Sequence, residues 1–227
     1  MAVDYLSDLA DALAAAGFHA IRVNPRGAGN STGRMDGLTL HDYAADVAGV
    51  IEELSVAPAF VLGHAFGNRI ARTVAADRPD LVRGVVLVAA GGKVDGRPEA
   101  VHALRTLFTP TSSETEVLDA MRWMVGSPEN ASSVWERFKS SRAPGAAPAQ
   151  MAAAEATPLK DWWSPPGDVP YLVIQGLKDE AAPVENGHLL KQELGSRVTV
   201  VDIPGAGHLQ PLEAPGPVAD AVIAFVR

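Results

Sequence analysis

Two residues of this chain stand where a proton relay could be built. Asp179 follows the apolar run YLVIQG (171–176), in the segment GLKDEAAP. His208 follows RVTVVDI (197–203), in the glycine-rich segment PGAGHLQPLEAP. Each lies just past the carboxyl end of a predicted strand, where open α/β sheets place their ligands. They are 29 residues apart, room for one helix and one strand, so the two loops should lie side by side. An imidazole oriented by a carboxylate titrates near neutrality and moves protons, a contribution of ~10²–10⁴ in rate. A third feature precedes them. Gly63-His64-Ala65-Phe66-Gly67 follows the run AFVLG (59–63) and opens a helical stretch over 67–77. A glycine-framed turn between strand and helix holds its middle side chain up as a nucleophile. Here that residue is Ala65, and a methyl group forms no acyl or alkyl intermediate.

The elements that would position these residues alternate along the chain. Residues 3–16 read as an amphipathic helix carrying Val3, Leu6, Leu9, Ala10 and Leu13, ended by Gly17. FHAIRVN (18–24) reads as a strand stopped by Pro25. Residues 39–55 read as a helix, with Thr39 and Asp42 at capping-box spacing. The runs at 59–63, 84–90, 171–176 and 197–203 are continuous rather than alternating, as in strands buried on both faces. The expected fold is α/β: an open, mainly parallel sheet of about five strands flanked by helices. Its core is expected in 1–92 and 167–227. Residues 93–166 show no strand pattern, only helical patches near 98–107, 114–125 and 130–141 and an Ala/Pro-rich stretch, and read as a helical insertion. Trp123, Trp135 and Trp162 are candidates for a pocket lining; packing within the insertion is the competing reading.

Composition narrows the classes. The chain has 227 residues, 47% of them hydrophobic, enough for one domain with a sizeable core. Its formal net charge of −8 argues against a nucleic-acid partner, since backbone binding rests on many Lys and Arg contacts. With no cysteine there is no disulfide, thiolate metal site or cysteine nucleophile. The histidines show no ligand spacing, so no metal is expected, and no motif calls for an organic cofactor. GAGNSTG (27–33) has its third glycine one residue too late for a dinucleotide loop. No secretory signal and no membrane-spanning run are visible, so a cytoplasmic protein without a membrane partner is expected.

Four motifs together resemble the α/β-hydrolases of the esterase, C–C hydrolase and haloperoxidase-like group. NPRGAGNS (24–31) is similar to the family's Asp-x-Arg-Gly-x-Gly-x-Ser turn, with Asn24 in place of the acid. GHAFGN is similar to its Gly-His-Ser-x-Gly-Gly elbow, GLKDEAAP to its Gly-x-x-Asp-x-x-x-Pro, and GAGHLQPLEAP to its Gly-x-Gly-His-x-x-x-x-Glu-x-Pro. The resemblance implies Asp179 and His208 as catalytic acid and base, with Glu180 as second choice for the acid. It places Ala65 at the nucleophile position and the Phe66 backbone N–H in the oxyanion site. His64 is implied to be structural, with a pocket role as the alternative. The insertion would be the family's variable lid, and the partner a small, apolar substrate or ligand.

Two departures from the family pattern stand beside this. Ala65 is the first; without its nucleophile a triad site retains ~10³-fold over water. The second is that the chain starts at the family's first helix, so a strand and an oxyanion-donor loop are expected to be missing. A shortened form would leave an open sheet edge, which invites self-association. Three functions follow: a hydrolase of small ester, amide, lactone or C–C substrates, a His–Asp dyad enzyme of lyase, isomerase or cofactor-free oxygen chemistry, and a non-catalytic binding or receptor-like protein.

Overall fold

The structure is a computed structural model describing residues 1–227. Four parallel strands, β1 (Ala59–His64), β2 (Val82–Val88), β3 (Tyr171–Gly176) and β4 (Val198–Ile203), form one sheet in the order β1-β2-β3-β4. Helices α1 (Ser7–Ala15) and α2 (Leu40–Glu53) precede β1, and α3 (Phe66–Asp77) joins β1 to β2. Between β2 and β3 come α4 (Pro98–Phe108), α5 (Glu114–Met121), α6 (Ala131–Phe138), α7 (Ala147–Ala156) and α8 (Leu159–Trp162). Finally α9 (Glu185–Leu194) leads to β4, and α10 (Gln210–Glu213) and α11 (Pro215–Val226) follow it.

The continuous apolar runs are explained by burial on both faces. Successive side chains of a strand point to opposite faces. Val85, Leu87, Tyr171 and Val173 therefore pack under α2, α3 and α9 with Tyr43, Ile70, Val74 and Leu190. Val86, Val88, Leu172 and Ile174 pack on the other face against Leu9 of α1 and Val218 and Val222 of α11. Burying each such side chain is worth about 1.5–3 kcal/mol, so β2 and β3 anchor the sheet. The α2 capping box forms as its sequence predicts, Thr39 and Asp42 each bonding the other's backbone N–H. A separate apolar cluster, including Met121, Met124, Trp135 and Phe138, holds α4, α5 and α6 together.

The sheet has four strands rather than about five, because 18–24 forms none. Its sequence is strand-like, but a strand exists only where a ladder partner is in reach. Phe18 N–H bonds back to Leu13 as the cap of α1, and no other backbone bond joins this segment to an edge strand. It faces the outer edge of β1 across a large cavity that both line. The Ala/Pro-rich stretch differs too: 147–156 is helical, as alanine's propensity favours.

Candidate active site

The turn at 63–67 is forced by close packing. A Cβ on Gly63 would lie 2.1 Å from the carbonyl oxygen of Gly67, so only glycine fits. Ala65 takes φ 51° and ψ −115°, a backbone region that side chains seldom occupy. Surrounding bonds hold it there: Ala65 N–H donates to Val88 O at 3.1 Å, and the Asn68 amide donates to the carbonyls of Ala65 and Ala89. Phe66 opens α3, so its N–H belongs to the first turn, whose donors lack helical partners and favour negative charge.

Asp179 and His208 meet as the strand order predicts. His208 Nδ1–H donates to Asp179 Oδ2 at 2.9 Å, with Oδ1 at 3.2 Å. Oδ1 also accepts from the N–H groups of Ala181 and Ala182, so the carboxylate is fixed from two directions. Both side chains are buried. Burial pulls the His208 pKa down, but the Asp179 carboxylate more than offsets this, and the net shift is upward. His208 Nε2 is buried and has no partner. Ala65 and His208 line one cavity of about 1450 Å³. Glu180 points away and pairs with Arg97 on the surface.

His64 is wired into the same loop. Its Nε2–H donates to the carbonyl of His208 at 2.8 Å, and its Nδ1 accepts from the Tyr5 hydroxyl at 2.8 Å. The partners fix this tautomer. Burial first, then the neighbouring His208, lowers the His64 pKa to about 3, so the ring is neutral. Of the pocket candidates, His64 lines the cavity, whereas Trp123, Trp135 and Trp162 do not. Trp123 lies under Arg97, Trp135 packs on Phe138, and Trp162 stands beside Trp163 under Arg69 and Arg72. Trp135 and Trp162 are buried in this packing, and Trp123 is half-buried.

Two residues escaped the sequence reading. Tyr5 had no local signal, its partner being 59 positions away. Glu213 did have one, five residues past His208 in the same motif. Its carboxylate accepts from Gly207 N–H at 2.9 Å and from Gly126 N–H at 2.6 Å. This joins the His208 loop to the turn after α5, and Leu209 N–H donates to Met124 O beside it. Backbones approach closely there: a Cβ on Gly126 would lie 1.8 Å from Gly205 O. Burial raises the Glu213 pKa. No group of three or more His, Asp or Glu side chains is arranged to hold a metal ion. No helix is long and apolar enough to cross a membrane.

Known proteins resemble this chain in sequence and in fold. A family model described as the alpha/beta hydrolase fold matches residues 2–215. The chain is 31% identical over 206 residues to a 2-(acetamidomethylene)succinate hydrolase of Mesorhizobium japonicum, covering 84% of this chain and 72% of the relative. It is 27% identical over 265 aligned positions to the rhodomycin D methylesterase DauP of Streptomyces sp. (strain C5), covering 97% and 85%. Among solved structures, a thermophilic esterase from Thermogutta terrifontis superposes with a TM-score of 0.75 at 22% identity, covering 100% of this chain and 86% of that one, a likeness of fold alone. The matched model, spanning nearly the whole chain, and the sheet with its strand-end loops lead to one conclusion: the chain belongs to the alpha/beta hydrolase fold family.

Proposed function

We propose that this chain is a small-molecule hydrolase-type site that keeps its acid–base pair and lacks its nucleophile. The observation that carries the reading is the buried His208, oriented by Asp179 through Nδ1, its Nε2 without a partner, lining the same cavity as Ala65. A neutral imidazole so held is a general base. With a methyl group at residue 65, water must serve as nucleophile, deprotonated by His208 as it attacks a bound carbonyl. The Phe66 N–H at the start of α3 would face the developing oxyanion. Residues 93–166 act as the lid over this cavity, and the substrate is a small ester, amide, lactone or C–C compound. The activities in the relatives' names, a hydrolase of a substituted succinate and a methylesterase, agree with that class.

Restoring the missing atom tests the proposal. Ala65→Ser should react with a fluorophosphonate probe and raise p-nitrophenyl acetate turnover by ~10³ or more, since a lone oxyanion site and binding retain only a small part of triad catalysis. Adding His208→Ala should remove both gains. A folded Ala65→Ser protein that neither labels nor gains turnover would overturn the reading. A second reading, ligand binding without turnover, is favoured by Ala65 itself. It predicts ligands that raise the melting temperature of the unmodified chain and are recovered unchanged.

A further inference from the structure

The cavity that Ala65 and His208 line also holds a guanidinium without an ion pair, that of Arg69, together with the acids Asp46, Asp95 and Glu155, of which Asp46 is paired with Arg26. Arg69 lies in the first turn of α3, four residues after Ala65. It lines the same cavity, and its guanidinium stands 5.1 Å from the centre of the Trp162 ring. It has neither an ion pair nor a hydrogen bond within the protein, and burial alone shifts its pKa, downward, with no carboxylate acting on it. Arg72, three residues further on, is a second such case. It is fully buried over Trp162 and Trp163, with only the carbonyls of Gly91 (3.3 Å) and Trp163 (3.5 Å) as partners. Glu193, the acid that reaches Trp163, is taken up by the indole N–H and by Lys93. From α7, Gln150 also lines the cavity, and its amide nitrogen is buried without an acceptor.

Removing a guanidinium from water is costly unless an acceptor replaces the lost hydration, so buried charges are normally paired. Here the two residues whose donors the protein leaves unmatched, Arg69 and Gln150, both line the cavity. A net charge of −8 would by itself repel anions, so attraction must come from such a local arrangement. We propose that Arg69, with Gln150 as a second donor, forms a carboxylate subsite, and that the ligand is a small molecule whose carboxylate stands a few bonds from its reacting carbonyl. A guanidinium meets a carboxylate with two parallel N–H···O bonds, which fixes orientation as well as affinity. With the carboxylate held at Arg69, the carbonyl would lie toward Ala65 and His208, which line the same cavity. This deepens the hydrolytic reading above and rests on it for the identity of the reacting group.

The test separates the two. Monomethyl succinate and its neutral analogue dimethyl succinate are titrated into the unmodified chain by calorimetry, which needs no turnover. Monomethyl succinate should bind at least tenfold more tightly. Arg69→Gln should abolish that preference, Arg69→Lys should keep part of it, and His208→Ala should leave it intact. Equal affinity for the two esters, or a preference that survives in Arg69→Gln, would overturn the subsite whatever Ala65→Ser does. Should Arg69→Gln fail to fold, Arg69→Lys decides: a preference undiminished by losing the planar fork excludes the subsite. Failure of the hydrolytic reading would appear instead as an unlabelled Ala65→Ser protein that still prefers the charged ester.

Discussion

The two margins of the cavity are built to different standards. At the ends of β3 and β4, Asp179 accepts bonds from His208, Ala181 and Ala182, while His64 and Glu213 hold the His208 loop from behind. His208 Nε2 and Gln210 Oε1 are the polar atoms left without partners there. At the end of β1, Ala65 presents a methyl group, the outer edge of the strand pairs with nothing, and 18–24 runs opposite without a ladder. None of the bonds that orient His208 involves the side chain of residue 65. The acid–base half is therefore a self-contained hydrogen-bond network in a low-dielectric setting, where each satisfied member reinforces the others. Losing a nucleophile's hydroxyl removes chemistry without loosening that network.

Three changes would break or sharpen this contrast. The largest effect is expected from Asp179→Asn placed in the Ala65→Ser background. An amide there favours the wrong tautomer of His208, and kcat/KM for p-nitrophenyl acetate should fall by ~10⁴. An unchanged rate would mean that the better-built margin does no acid–base chemistry. Next come matched glycine substitutions. Gly126→Ala drives a methyl group into the Gly205 carbonyl and should cost about 1–3 kcal/mol in urea unfolding. Gly67→Ala meets nothing within 4 Å and lies in a helix, so it should be neutral or slightly stabilising. Equal losses would erase the difference in packing between the margins. The smallest effect is a pH slope. The folded pKa of His208 is raised, so the pair's contribution is fully present below the ordinary histidine value of about 6.5 and is lost as pH rises through the folded value. The pair's own contribution, read as the difference in unfolding free energy between the unmodified chain and Asp179→Asn, should therefore shrink as pH rises through neutrality, while the depressed pKa of His64 acts in the opposite sense.

Much of this architecture was legible in the residues, for identifiable reasons. β2 and β3 announce themselves because two-sided burial requires uninterrupted apolar runs. α2 does so because a capping box is a local bond pattern. Asp179 and His208 could be paired because each follows a strand directly, and parallel neighbours bring their following loops together. The misreadings have causes of equal weight. Residues 18–24 carry the side chains of a strand, but whether an edge is in reach is not written in those seven residues. The three tryptophans were ambiguous because an apolar side chain serves a pocket and a core equally well. Tyr5, Arg69 and Gln150 matter through what surrounds them in space, and no spacing marks a cation that lacks its partner.

The bond from Glu213 to both Gly126 and Gly207 has a mechanical consequence. It rivets the α5–α6 turn to the loop that carries His208, so the two move as one plate. A displacement of that turn would carry the imidazole out of register with Asp179.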